Sequence, residues 1–304
     1  MRDEWAKAFS ATAQEWWTEA RTKAVLGDKR LAFPPAEAAV LLRALGLMNG
    51  DATMPPDRIR KYRQINHMLR VLRPSLEALA DTCDRPCIVD AGCGRSYLTM
   101  LIAWWFAHTR LQSVQILGID RSPALVQTCR ERAERAGLQA SLRFLAAPLA
   151  DLDLEEAWRA EFGEPWAGLD ALVSLHACDT ATDDALVLAV EHQARFVAVA
   201  PCCQRELSAA WKHRPELGPW AASPHLRRTA AATTTDTYRM LLLQTQGYET
   251  SAVEFVEALH TPKNTLIRGL LRPPAKPEAR LRYCQFRDRT GGVDIALARR
   301  WGVV

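Results

Sequence analysis

Residues 87–98 read Cys87-Ile88-Val89-Asp90-Ala91-Gly92-Cys93-Gly94-Arg95-Ser96-Tyr97-Leu98. An apolar run closes on an acid, crosses a Gly-x-Gly turn and enters an amphipathic helix. The two glycines let the backbone turn tightly and approach a ligand where a Cβ would collide. The helix N-terminus beyond them offers free N–H groups to a carboxylate or phosphate. Strand, turn and helix together form a unit suited to a nucleotide-like cofactor.

The spacing narrows the choice. A dinucleotide fingerprint needs a third glycine for close helix–strand packing, and Tyr97 stands there. A phosphate-binding loop needs Gly-Lys-Ser/Thr, which is absent. The next apolar run, Val114-Gln115-Ile116-Leu117-Gly118-Ile119-Asp120, also ends in an acid. A carboxylate at the tip of a second parallel strand can accept both ribose hydroxyls of an adenosine. Asp120 can equally serve a turn or a helix N-cap, because Arg121-Ser122-Pro123 opens a helix.

The segment resembles the first motif of class I S-adenosylmethionine (SAM) methyltransferases, Asp/Glu-x-Gly-x-Gly, with Ser96 where that family often has a third glycine. The resemblance implies SAM as cofactor, held by Asp90, Ala91, Gly92, Cys93 and Gly94, with its carboxylate near Gly92–Gly94. It implies the ribose on Asp120 beside Arg121, and the adenine against Ala147 and Pro148. The family often has an Asp after the third strand; Asp151 is the nearest substitute here.

Working outward, β–α alternation continues. Strands are expected at 87–91, 114–120, 141–146, 169–175 and 195–200. Helices are expected at 96–108, 123–136, 153–161 and 182–192, with Gly137 as a C-terminal cap. Regular alternation implies a parallel, doubly wound α/β sheet. An insertion at about 205–232, rich in Pro, Trp, His and Arg, precedes a helix at 234–246 and strands at 249–258 and 263–271. Two late strands after five β–α units are what the Rossmann-like seven-stranded methyltransferase sheet requires. Residues 1–75 read as a helical N-terminal appendage, 76–272 as the methyltransferase domain, and 273–304 as a basic C-terminal extension. Trp16 and Trp17 suit either core packing or base stacking. In the helix opened by Pro55-Pro56, Lys61 and Gln64 share a face that can point toward the cofactor.

Ligands of open α/β sheets sit beyond the carboxyl ends of the strands. The fourth strand leads into Ser174-Leu175-His176-Ala177-Cys178-Asp179-Thr180-Ala181-Thr182-Asp183, and the fifth into Pro201-Cys202-Cys203-Gln204. These resemble the His-x-Cys and Cys-Cys motifs of a broad methyltransferase-domain family related to the eukaryotic acceptor-stem tRNA 2′-O-methyltransferases. The chain departs from it at Asp179, where Gly is usual, and at Gln204, where an aromatic or His is common. Asn66 and the Thr261-Pro262-Lys263-Asn264 turn also resemble elements of that family. His176, with an ordinary pKa of ~6.5, is either a general base or a brace for the cofactor. Asp179 and Asp183 either serve the reaction or cap a helix. Cys202 and Cys203 read as lining, since direct methyl displacement needs no covalent intermediate.

The 304 residues carry 48% hydrophobic and 24% charged residues, ordinary for a globular protein. No leader-like or membrane-spanning run stands out, so a cytoplasmic protein with eight reduced cysteines is expected. No Cys-x-x-Cys occurs, and no metal is expected. Net charge is +4, unevenly spread. Segment 57–73 has six Lys/Arg and one acid, and 272–304 has eight Lys/Arg and three acids. Such segments can meet RNA. The expected activity is direct methyl transfer from SAM to a nucleophilic N or O of RNA. The alternatives are a protein or small-molecule methyltransferase, or a catalytically silent SAM-binding regulatory protein. The residues leave the oligomeric state open.

Overall fold

A computed structural model describes residues 2–27, 31–175, 177, 180–202, 204–254 and 264–304. Seven strands follow the order β3-β2-β1-β4-β5-β7-β6. The first five run parallel where their registers are defined, and β7 is antiparallel to both β5 and β6. This is the order and polarity expected of the doubly wound methyltransferase sheet. Central strands are buried along their whole length because helices cover both faces. The edge strand β6 is mostly exposed. The chain separates into two compact units.

The first unit holds residues 1–148 and 153–166. Its elements are α1 (Arg2–Trp16), α2 (Glu19–Leu26), α3 (Ala39–Ala44), α4 (Pro56–Thr82), β1 (Cys87–Ala91), α5 (Tyr97–Trp105), β2 (Gln115–Asp120), α6 (Pro123–Ala136), β3 (Leu142–Ala146) and α7 (Leu154–Phe162). The N-terminal helices are fastened to it by aromatic side chains with polar ends. Trp17 is buried and its indole N–H donates to Ala52 O at 2.8 Å. Tyr62 packs edge-on against Phe33 and donates to Phe33 O at 2.9 Å. Trp16 instead lies 38% exposed beneath the Arg21 guanidinium, so the pair divides between core and surface. Asn66 is buried and accepts from Ala32 N at 2.7 Å, a structural use of that residue. α4 runs through Pro74 to Thr82, past the 75/76 boundary expected from sequence. The helix expected over 96–108 becomes α5 followed by a wide π-helical turn, Phe106–Arg110, closed by Leu111 in the left-handed region. Gly137, at φ +73°, closes α6 as expected.

The second unit holds residues 149–152 and 167–304. Its elements are β4 (Ala171–Ser174), α8 (Thr180–Glu191), β5 (Phe196–Val199), α9 (Glu206–Trp211), α10 (Pro219–Ala222), α11 (Pro224–Thr245), β6 (Tyr248–Glu254), β7 (Thr265–Leu271), α12 (Ala279–Arg289) and α13 (Ala296–Arg300). The helix expected from 234 starts ten residues earlier, at Pro224. A threonine-rich stretch lowers helix propensity there. The hydroxyls of Thr229, Thr233, Thr235 and Thr237 each bond the carbonyl four residues back, so the helix accommodates them. The basic tail is part of this unit. Tyr283 packs edge-on against Tyr238, whose hydroxyl lies 2.6 Å from Thr290 Oγ1. Arg299 pairs with Glu206 at 2.6 Å and Arg300 with Asp184 at 2.5 Å.

In β2, Gly118 pairs with Asp90 on one side and Phe144 on the other. A Cβ there would fall 2.6 Å from the Phe144 ring and 3.2 Å from Cys93 Sγ, both buried. Gly118→Ala should therefore cost about 1–3 kcal/mol through overpacking. Urea unfolding with an unchanged midpoint would show that the ring has room to move.

Candidate cofactor site

The Gly-x-Gly turn hangs from the end of β2. Gly92 N and Cys93 N both donate to Ile119 O, at 2.8 and 2.9 Å. Gly92 and Gly94 have φ of +73° and +54°, a region that side-chain-bearing residues rarely adopt. A Cβ added to Gly94 would meet nothing within 4 Å. Its glycine is thus required by conformation, and open space lies over it where a ligand can approach. Ser96 also sits in the left-handed region at φ +61°, buried just before α5. That conformation explains why glycine suits the position, and serine carries a cost of about 1–3 kcal/mol there.

Asp120 joins the strand tips. Its Oδ2 accepts from Gly94 N at 3.0 Å and its Oδ1 from Ser122 N at 2.9 Å. Its main-chain carbonyl accepts from Ala147 N at 3.1 Å, which brings the 147–148 segment to the same end of the sheet. Each carboxylate oxygen keeps a second lone pair for a ribose hydroxyl. The turn is braced from behind. Cys129 Sγ donates to Gly94 O at 3.3 Å, and Arg132 to Arg95 O at 2.9 Å. A hydrogen bond with Cys129, together with burial, pushes the Cys93 thiol far up, so it stays protonated.

Asp90, at the end of β1, is 3% exposed and accepts from Thr99 Oγ1 at 2.5 Å. Burial pushes its carboxyl up to about 7; the Thr99 hydroxyl opposes this, and the charge of Asp120 adds to it. Above the site, Lys61 Nζ and the Arg132 guanidinium lie over the Tyr97 ring, 5.0 and 5.6 Å from its centroid. Burial, then Arg95, lowers the Lys61 pKa. Gln64 lies one turn along α4 from Lys61 and is half-buried; Arg121 is exposed. Asp90, Ala91, Gly92, Cys93, Gly94, Asp120, Arg121, Ala147, Pro148 and Gln64 all belong to the first unit. Their chemistry fits SAM: an open glycine cradle, a strand-tip carboxylate for the ribose, and a buried acid for a cationic ligand.

The β4 and β5 ends belong to the second unit. His176, Cys178, Asp179 and Cys203 lie outside the described residues, as do Thr261-Pro262-Lys263. Thr182 is buried and donates to Ala177 O at 2.8 Å. Asp183, also buried, accepts from Arg239 Nε at 2.8 Å. Arg239 is 1% exposed and also reaches Asp236 at 3.3 Å, while Gln204 Nε2 donates to Asp236 at 2.8 Å. One buried guanidinium of α11 thereby ties together the segments that follow β4 and β5. Sequence reasoning missed Arg239 and Asp236. The available signal was an arginine inside the apolar stripe Tyr238–Leu243. Cys202 is exposed, and so is Asp151. Among the described residues no group of three His, Cys, Asp or Glu can hold a metal ion, and no helix is long and apolar enough to cross a membrane.

Residues 60–210 match the family described as a methyltransferase domain. The 23S rRNA (uracil(1939)-C(5))-methyltransferase RlmD of Nitrosospira multiformis is 30% identical over 141 residues, 45% of this chain. The chain spans 29% of that relative's length. Among solved structures, SAH-bound methyltransferase PaMTH1 of Podospora anserina superposes with a TM-score of 0.45 at 12% identity, over 84% of this chain and 95% of its own. Cofactor-bound Rv0187 from MTB does so with 0.44 at 14% identity, over the same shares.

The raised pKa of Asp90 sets a pH dependence. Between about 4 and 7 the folded chain holds a proton that the unfolded chain has lost. This term favours folding at low pH and is lost as pH rises through 7. A cationic cofactor favours the ionised acid, so SAM binding below pH 7 should release a proton. Affinity should then rise by up to about tenfold per pH unit toward 7 and level off above it. Calorimetry in two buffers of different ionisation enthalpy checks this. Asp90→Asn should flatten the profile, and a flat profile for the unsubstituted chain would contradict the assignment.

Proposed function

We propose that this chain, which carries a class I SAM-dependent methyltransferase domain, transfers the methyl group to a nucleophilic N or O of RNA. The enzyme class and cofactor rest on the family match and on the Gly94–Asp120 junction at 3.0 Å. RNA is the reading that surface charge and the rRNA-methylating relative support best.

The observation that carries RNA is what remains of the basic segments after their structural uses are counted. In 57–73, Arg58 donates to Asn49, Arg63 to Val25 O and Arg73 to Glu77, and Lys61 covers Tyr97. Arg60 and Arg70 stay exposed. In 272–304, Arg287, Arg299 and Arg300 pair with Asp294, Glu206 and Asp184. Arg272, Lys276, Arg280 and Arg289 stay exposed. Exposed cations exceed exposed acids in both places, which suits a phosphate backbone.

SAM, when bound, supplies an electrophilic methyl on a sulfonium. The chain's own contribution is to hold and orient. Asp120 accepts the ribose hydroxyls, the Gly92–Gly94 turn admits the carboxylate, and Ala147 with Pro148 flanks the adenine. Orientation of the acceptor against the methyl then supplies most of the rate. His176 is the candidate base, and Asp179, three residues on in sequence, is the candidate acid beside it. Asp183, held by Arg239, acts as a positioning residue for that segment.

Incubating the protein with tritiated SAM and fractionated cell extract tests the proposal. Label should enter RNA and disappear when the extract is treated with RNase beforehand. Label in protein or small molecules instead, or in no fraction while SAM still binds, would overturn the RNA assignment.

A further inference from the structure

Between β5 and β6 the chain makes an excursion that SAM binding does not use. Within it, Trp211 at the end of α9 is fully buried, and Trp220 in α10 is 43% exposed. The two rings stack, with centroids 5.6 Å apart and planes 4° from parallel. One face of Trp220 is thus seated on a buried partner, and a large part of the residue remains open to solvent. Its backbone is pinned as well. Pro219 opens α10, and the Arg227 guanidinium donates to Ala221 O. Glu206 anchors α9 by accepting from Ala296 N at 2.9 Å and from Arg299. A large aromatic side chain fixed in this way costs little entropy when it binds a flat ligand.

The charge around it selects the ligand. Residues 205–228 contain five Lys/Arg and two His against two acids. Of those acids, Glu206 is used in the anchor and Glu216 faces Arg214 at 3.5 Å. Lys212 and Arg228 are exposed. Trp5, also exposed and stacked on an aromatic, stands where Arg2 and Lys7 are balanced by Asp3 and Glu4, with no excess of cations. An open aromatic face among cations is what single-stranded nucleic acid requires, because bases stack on the ring while phosphates meet the cations.

We infer that Trp220, backed by Trp211 and carried on a segment whose exposed cations include Lys212 and Arg228, is a stacking platform for an unpaired base of single-stranded RNA. The inference rests on the RNA reading above and adds where, and in what form, the RNA is held. The platform engages single strands in preference to duplex, since a paired base offers no free face.

Fluorescence anisotropy with a fluorescein-labelled 15-nucleotide oligouridine, at low and moderate salt, tests it on the full chain. Trp220→Ala should weaken binding by about 5- to 100-fold, while Trp220→Phe keeps most of it. Lys212→Gln with Arg228→Gln should reduce the salt dependence. SAM affinity, measured by calorimetry, should be unchanged in all these variants, and so should the urea unfolding midpoint, which together establish that both units fold. Equal RNA affinity for Trp220→Ala and the unsubstituted chain would overturn the platform and leave the RNA assignment standing. Failure of the unsubstituted chain to bind single- or double-stranded RNA at low salt would overturn both. Binding to duplex alone would overturn the platform.

Discussion

One carboxylate organises the cofactor end of the first unit. Asp120 takes a backbone N–H on each oxygen, one from the glycine turn after β1 and one from the start of α6. Hydrogen bonds to a charged acceptor are stronger than neutral ones, about 1.5–3 kcal/mol each. They hold Gly94 in its left-handed conformation without a crowding neighbour, which leaves the space above it for a ligand. The same residue therefore shapes the turn and keeps a further lone pair on each carboxylate oxygen. Its substitution acts on both.

Electrostatics divides the site sensibly. Two acids close neighbouring parallel strands, and one of them, Asp90, is buried deeply enough to hold a proton near neutral pH. Such a group is uncomfortable in the ligand-free chain and becomes favourable beside a cation. Cations gather instead over Tyr97, where Lys61 and Arg132 approach the ring. In the second unit the balance is reversed: a single buried arginine is neutralised by Asp183 and Asp236. Removing one member of such a cluster leaves an uncompensated buried charge, which is far costlier than never having built it. That network ties α8 and Gln204 to α11 without itself needing to take part in chemistry.

Much of this was legible in the residues. The strand tips at Asp90 and Asp120, the glycine turn, the Gly137 cap and the seven-stranded order follow from local patterns that packing reinforces. What stayed hidden depends on distant partners. The early start of α11 is hidden by threonines whose hydroxyls find backbone carbonyls only once the helix exists. Arg239 looks like a surface arginine until Asp183, 56 positions earlier, is brought to it. The basic tail reads as an extension, yet Arg299 and Arg300 are spent on ion pairs within the second unit. Charge counts along the chain therefore overstate what is free for a polyanion, and burial corrects them. The segment around His176 is visible as a motif, but a motif does not assign a proton to an atom.

Calorimetric titration of SAM into the unsubstituted chain and into Asp120→Ala and Asp120→Asn, with NAD as the comparison ligand, tests the central claim most directly. SAM should bind the unsubstituted chain and NAD should not. Asp120→Ala should lose about 10- to 100-fold in SAM affinity, and Asp120→Asn should fall between, since it keeps one acceptor. Equal SAM affinity in all three, or tighter binding of NAD, would contradict the account.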